Sequence, residues 1–397
     1  MDEARLIQAA LAALVHAAAG TPIFFYAYNR RMYRMAKGMD KINVSLVFSI
    51  LAMVLPAVLG WVLSIIDGVP FLVRWAYPIL VGLVWLGGET RLAWQRYTLR
   101  GAPPLEFQPA QLQGLQFLTH PITTLDLTRV TYQIAWDGPD LTVVQITDLH
   151  LNERIPLCFY QEAVEMANQV NPDLIILSGD FVTHRHNIPV LTELLSPLRT
   201  SYRVHADGMP AGKAVFASLG NHDYWAGAPA IREQVQAAGA RLLSGSCVDI
   251  GVGGDAVRLG GDDSPWGAEL KTLSSHSPPP AGEGPGVRDL LPSIILSHTP
   301  DNIYRLARLP GCAAVFSGHV HGGQMRLPLP GSAASSTALI VPSAYGRRFD
   351  RGHFVFPSPF GHAVHLFVSA GVGAAEPALR LYCPPEVLVV RFIRQIP

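Results

Sequence analysis

The chain is poor in charge. Only 15% of its 397 residues are Asp, Glu, Lys or Arg, against about a quarter in an ordinary globular protein. Its 30 basic and 30 acidic residues cancel. That balance excludes the broad basic face of a nucleic-acid-binding protein, so nucleic acid is disfavoured as a partner. The basic residues are local instead, with Arg30, Arg31, Arg34, Lys37 and Lys41 filling one stretch. Cysteine is scarce as well. Cys158, Cys247, Cys312 and Cys383 form no C-x-x-C pair, which excludes zinc-ribbon spacing, and all four read as reduced, buried thiols suited to a cytosolic face. No internal repeat stands out.

What the chain has in excess is apolar length. Leu6–Tyr28 and Ile42–Ile66 carry no formal charge, and Pro70–Gly88 carries only Arg74. Each is long enough to cross a hydrocarbon core of about 30 Å, which takes around 20 residues. Trp61, Trp75, Tyr77, Trp85 and Trp94 include candidate interface anchors. A secretory signal would be shorter and would not precede two further apolar runs. The expectation is an all-α transmembrane region over 1–100, with helices at 6–28, 42–66 and 70–88, and a multi-pass protein of the inner membrane. Pro56 should kink its span rather than end it. By the positive-inside rule Asn29–Lys41 lies inside, and three crossings return Arg91, Arg96, Arg100 and the rest of the chain to the cytoplasm. If Arg74 instead holds 70–88 at the interface, the rest faces outward.

Five short blocks follow: Asp148-Leu149-His150, Gly179-Asp180, Gly220-Asn221-His222-Asp223, Ser297-His298 and Gly318-His319-Val320-His321-Gly322-Gly323-Gln324. Each follows an apolar run (LTVVQIT, LIILS, AVFASL, SIIL, AAVFS) of the kind that forms buried parallel strands. Ligands in open α/β folds bind beyond the carboxyl ends of such strands. Five strand ends are thus expected to deliver Asp148, His150, Asp180, Asn221, His298, His319 and His321 to one edge of a sheet. Alternate positions, as in Asp148-x-His150 and His319-x-His321, point the same way from an extended segment. One buried Asp or His at a strand end is ordinarily structural; seven delivered together read as a dinuclear metal site. A bridging carboxylate holds two cations roughly 3.5–4 Å apart in two-metal hydrolases. Imidazole and carboxylate donors suit iron, zinc, manganese or nickel. Asn221 offers a neutral oxygen where a further negative charge would be excessive.

In this order the blocks resemble the calcineurin-like metallophosphoesterase superfamily. The closing GHVHGGQ is similar to its bacterial membrane-associated branch, that of the YkuE and YaeI phosphodiesterases. The likeness runs from about Thr128 to the C-terminus and includes VSAGVG and PALRLYCPPEV. It implies a four-layered α/β/β/α domain over 128–397 after a linker at 101–127. It also implies two metals, of iron, zinc, manganese or a mixture. Asp148, His150, Asp180 and His321 would hold the first; Asp180, Asn221, His298 and His319 would hold the second. A hydroxide between the metals would attack phosphorus. His222 would serve the leaving oxygen as an acid, with Asp223 orienting its ring. The GDFVTHR and GNHD blocks lack the D-R-G and GNHE of the superfamily's protein phosphatases, which disfavours a phosphoprotein substrate.

Other residues read more blandly. His184 and His186 suit a solvated loop, and Arg347 and Arg348 are surface arginines or phosphate contacts. His353, His362 and His365 are structural residues of a β-rich tail. Helical patterns cover Leu157–Val170, Ile188–Leu198, Ala228–Ala238 and Asp301–Leu309. Val130–Trp136 and Leu141–Thr147 suggest a hairpin across Asp137-Gly138-Pro139-Asp140. Ser274–Val287 is a low-complexity insertion. The expected function is a membrane-anchored phosphohydrolase cleaving a phosphodiester or pyrophosphate in a phosphorylated lipid-linked or small-molecule substrate. UDP-diacylglucosamine, which some relatives cleave, is a candidate. The alternatives are a nuclease or cyclic-nucleotide phosphodiesterase, and a non-catalytic metal-binding membrane scaffold.

Overall fold

Apolar runs rich in Val, Ile and Leu bury both faces of a strand, and the runs before the five blocks do so here. They form β3 (Leu141–Ile146), β4 (Leu174–Ser178), β6 (Val215–Ser218), β10 (Ser293–Ser297) and β11 (Cys312–Ser317). The computed structural model describes residues 2–32, 45–107, 126–273, 291–329, 332–338 and 340–395. The insertion Ser274–Val287, most of the 101–127 connector, and Arg34, Lys37 and Lys41 lie outside the described residues.

The chain divides into two compact units. The larger holds two seven-stranded sheets. The first is ordered β1 (Glu106–Phe107), β2 (Thr128–Trp136), β16 (Glu386–Arg394), β3, β4, β6 and β7 (Arg241–Leu242). The second is ordered β14 (Gly352–Pro357), β15 (Ala363–Val368), β11, β10, β9 (Asp255–Asp262), β8 (Cys247–Val252) and β5 (Val204–His205). A small hairpin pairs β12 (Arg326–Leu329) with β13 (Ser332–Ala338). The sheets pack face to face: Val143, Ile176 and Phe216 of the first share one buried cluster with Leu259, Ile294, Phe316 and Phe367 of the second. Each such side chain contributes about 1.5–3 kcal/mol on burial. Helices α4 (Leu157–Gln169), α5 (Val190–Leu195) and α7 (Ala228–Ala237) cover the other face of the first sheet through Phe159, Leu191 and Ile231. The short helix α8 (Ile303–Leu306) packs beside β11. The domain is the expected layered α/β fold, with a thin fourth layer.

Four expectations change. β2 and β3 do not pair as a hairpin. The C-terminal β16 lies between them, parallel to β2 and antiparallel to β3. Its Val387–Val390 run is buried and needs partners on both edges. Nor do the five blocks share one sheet edge, since β3, β4 and β6 belong to the first sheet and β10 and β11 to the second. The pattern at Ile188–Leu198 is helical only in α5, and that at Asp301–Leu309 only from its 3-10 turn through α8. Finally, the thiols are not all buried. Cys158 is exposed on α4 and Cys247 is half-buried, while Cys312 and Cys383 are buried.

The smaller unit consists of α1 (Glu3–Met32), α2 (Ser45–Ile65) and α3 (Phe71–Leu99), together with residues 340–348. α3 runs eleven residues past the expected end at Gly88. Pro56 leaves α2 unbroken but follows a π-turn at Ile50–Val54. Proline lacks an N–H for the carbonyl four residues back, which is that of Ala52. The Tyr77 hydroxyl donates to that carbonyl at 3.4 Å.

Candidate metal centre

The ligand-type residues lie just past the strand ends, where the backbone turns sharply. Asp148, His150, Asp180, His319 and His321 all have positive φ (+53°, +43°, +55°, +68° and +51°). Non-glycine residues in this left-handed region cost on the order of 1–3 kcal/mol each and persist only where their surroundings impose them. Strand alternation therefore does not aim these side chains; five left-handed residues on three turns do. The turns are held by cross-links. Asp148 N–H donates to Gly179 O at 3.0 Å and His150 N–H to Asp180 O at 2.9 Å. His319 N–H donates to both oxygens of Asp148, at 3.0 and 3.1 Å. Gly318 must be glycine, because a Cβ there would come within 2.0 Å of Asp148 Oδ2.

Two donor groups result. Asp148, His150, Asp180 and His321 gather within 4.8 Å of one another, and so do Asp180, His298 and His319. Asp180 belongs to both. His150 Nε2 lies 3.0 Å from His321 Nε2 and 3.3 Å from Asp180 Oδ2. His321 Nε2 is 3.4 Å from Asp148 Oδ1, and His298 Nε2 is 3.2 Å from Asp180 Oδ2. Those are the edge lengths expected of donors each about 2.0–2.2 Å from one cation. His298 Nδ1 donates to Ser178 O at 2.7 Å, which leaves Nε2 for the site. Asn221 opens the short helix α6 (Asn221–Ala226). Its Oδ1 is buried with no hydrogen-bond partner, a cost of about 1–3 kcal/mol that a bound cation would remove. The residues fit a metal pair.

Burial and the charges around each group set its protonation. Burial pushes the Asp148 carboxyl up, opposed by His298 and reinforced by Asp180. Burial also works against charge on Asp180, yet His298, His222 and the bonds from His150 and His298 hold it well below the usual range. Burial opposes charge on His298, but Asp180 and Asp148 raise it to about 9. Burial, His150 and Arg380 hold His321 well below its ordinary value, keeping it in the neutral form that ligates.

His222 keeps partial exposure, with its ring centroid 4.6 Å from that of His150. The His222 backbone N–H donates to Asp180 Oδ1 at 2.8 Å. Asp223 is held by backbone groups. Its oxygens accept from the backbone N–H groups of Asp180 (2.8 Å), Phe181 (2.8 Å) and Gly220 (2.9 Å), tying two ligand-bearing turns together. Burial and Asp180 raise it to about 8. The remaining candidates lie elsewhere. His184 pairs with Glu376 and His186 with Glu153 at the surface. Arg347 pairs with Glu89, and Arg348 with Gln95 at 2.5 Å, within the helical unit. His362 bonds Cys312 O, and His353 bonds His365.

Sequence reasoning missed Arg380. Wholly buried, its guanidinium donates to the carbonyls of Ala370 (2.6 Å), Gly373 (2.7 Å), Gly371 (3.2 Å) and His321 (3.3 Å). It braces the His321 turn against the 370–373 loop, whose Gly373 N–H donates to Asp148 O at 2.8 Å. An isolated arginine in a tail gives no such signal.

A calcineurin-like phosphoesterase family model matches residues 141–323, a span that contains all seven ligand-type residues. The chain carries a calcineurin-like metallophosphoesterase domain. It is therefore a phosphoester hydrolase with a metal-binding site. It is 29% identical over 256 residues to phosphodiesterase YaeI of Escherichia coli, covering 63% of this chain and 82% of that protein. It is 27% identical to the metallophosphoesterase YkuE of Bacillus subtilis, covering 68% of this chain and 85% of that one. The UDP-2,3-diacylglucosamine pyrophosphatase LpxG of Chlamydia trachomatis is 26% identical over 321 residues, or 67% of this chain and 89% of that one.

Proposed function

We propose that this metallophosphoesterase is a membrane-anchored, dinuclear-metal enzyme that cleaves a phosphodiester or pyrophosphate bond in a lipid or cell-envelope precursor. The observation that carries the reading is the pair of donor groups sharing Asp180. Asp148, His150, Asp180 and His321 would hold one metal, and Asp180, Asn221, His298 and His319 the other. When bound, the pair supplies positive charge to phosphoryl oxygens and acidifies water to near-neutral pKa. His222 meets the substrate from the exposed side and hands a proton to the leaving oxygen. Asp223 keeps the Asp180 and Asn221 turns in register.

The anchor is argued from exposure. Leu72, Leu83 and Val84 are 73%, 62% and 77% exposed, and the apolar window of α3 buries nothing within the protein. Contiguous apolar faces of this size need a cover, and three helices of spanning length make lipid the natural one. Within the helical unit, Arg5 at the start of α1 pairs with Asp67 after α2 at 3.0 Å. Asn29 near the end of α1 accepts from Val341 N–H. Arg96 near the end of α3 donates to Arg347 O. α1 and α3 thus run in the same direction. The positive-inside rule sets their ends, next to Arg30 and Arg31, in the cytoplasm, which supports a cytoplasmic catalytic domain.

The activity of LpxG makes a nucleotide-linked acylated sugar the first substrate to try. Purified full-length protein reconstituted with manganese, iron or zinc should hydrolyse bis-p-nitrophenyl phosphate. A deletion strain and a His222→Ala strain should accumulate the same lipid-linked phosphate. Metal-loaded protein inert on diesters and pyrophosphates alike would sink the reading. For topology, a green fluorescent protein fusion after Arg100 should glow and an alkaline phosphatase fusion there should be inactive; the reverse pattern refutes a cytoplasmic domain.

A further inference from the structure

We propose that Trp225 and Trp266 are the specificity walls of the cleft, one beside each donor group, and that they stack on planar rings attached to the scissile phosphate. This rests on the hydrolase reading above and adds the recognition of the groups flanking phosphorus. The Trp225 ring lies 4.8 Å, centroid to centroid, from His222, which in turn abuts His150 of the first donor group. The Trp266 ring lies 5.0 Å from His319 and 5.9 Å from His298, both of the second. His150, His298 and Asp180 are sealed, whereas His222, Trp225 and Trp266 keep partial exposure. On this proposal a substrate reaching the buried donors passes both indoles.

Both walls are built to stay in position. The Trp266 backbone N–H donates to the Asp263 carbonyl at 3.2 Å. The buried Asp263 carboxylate accepts from Leu219 N–H at 3.0 Å and the Tyr224 hydroxyl at 2.9 Å, which binds the Trp266 loop to the turn carrying Asn221 and His222. Trp225 sits on α6, directly after that turn. A half-buried indole held this way offers a flat face that any planar ring can stack on, without reading its edge. An alkyl chain gains no such stacking. Two walls also match two substituents on one phosphorus, so diesters and pyrophosphates with a ring on either side should be preferred over monoesters.

The test uses the full-length, metal-loaded protein. Bis-p-nitrophenyl phosphate and p-nitrophenyl phosphate serve as substrates. Uridine 5′-monophosphate, hexyl phosphate and inorganic phosphate serve as binding probes, followed by quenching of tryptophan fluorescence. Trp225→Leu and Trp266→Leu should each raise KM for the bis-aryl diester about tenfold with kcat little changed, the pattern of lost uniform binding. Trp→Phe at either position should restore most of the affinity. Uridine 5′-monophosphate should bind more tightly than inorganic phosphate, and lose that advantage in the Leu variants. The proposal is overturned if the Leu variants keep wild-type KM, if Phe fails where Leu fails, or if hexyl phosphate matches uridine 5′-monophosphate. Wild-type protein inert on both aryl substrates would sink the hydrolase reading itself, whereas an active wild type with unaltered Leu variants would sink only this one.

Discussion

The two sheets contribute unlike halves to the centre. From the first come Asp148, Asp180, Asn221 and one imidazole, His150; from the second come only imidazoles, His298, His319 and His321. Neither sheet alone assembles either donor group, for His321 completes the first and His298 and His319 the second. The oxygen-rich half carries the negative charge, and the nitrogen-rich half lies against it without adding any. A change in how the sheets pack would therefore separate the donors of both groups. The centre is a property of the sandwich and not of either sheet.

The largest effect should come from removing the residue both groups share. Asp180→Ala should release metal from both positions and lower turnover by more than about 10⁴-fold, beyond any single acid–base contribution. His222→Ala should leave both metals bound and cost roughly 10²–10⁴-fold. Metal analysis of the purified variants, set beside their rates, separates the two. Equal metal loss in both would mean that His222 is a ligand.

A milder perturbation acts on the first sheet alone. Asp223→Asn replaces a carboxylate that accepts from three backbone N–H groups with a side chain that must turn a donor toward one of them. Metal affinity should fall about 10–100-fold, the range for residues that orient ligands, with the pH profile of kcat unmoved once metal is saturating. A shifted profile at unchanged affinity would instead assign Asp223 to the His222 ring.

The smallest effect is expected at the far edge of the second sheet. On β14 and β15, His353 Nε2 and His365 Nδ1 lie 2.9 Å apart. Burial and His365 push His353 down to about 3, and burial pushes His365 down to about 4, from 6.5. The unfolded chain then binds more protons than the folded one between those values and 6.5, so stability rises with pH across that window. It is complete above pH 6.5 and declines as pH falls toward 4 and then 3. His365→Gln should flatten the loss of Tm between pH 6.5 and 4 by a few degrees. An unchanged acid slope would show that this pair does not couple to folding.

Much of this was legible in the chain. The apolar runs named β3, β4, β6, β10 and β11, because strands buried on both faces need continuous Val, Ile and Leu. The blocks named the donors, because few residue types bind hard or borderline metals. The three long helices followed from apolar length alone. Longer-range relations were not legible. β16 joins β2 and β3 across about 240–260 residues, and the local turn signal at Asp137–Asp140 pointed to a hairpin instead. The division of donors between two sheets, the left-handed backbone at five of them, Arg380 behind His321 and the two indoles beside the cluster all depend on segments distant in sequence. Composition and spacing record which side chains a segment offers. Only packing decides which segments meet, and only that meeting can sustain the backbone strain at Asp148, His150, Asp180, His319 and His321 that gathers the donors together.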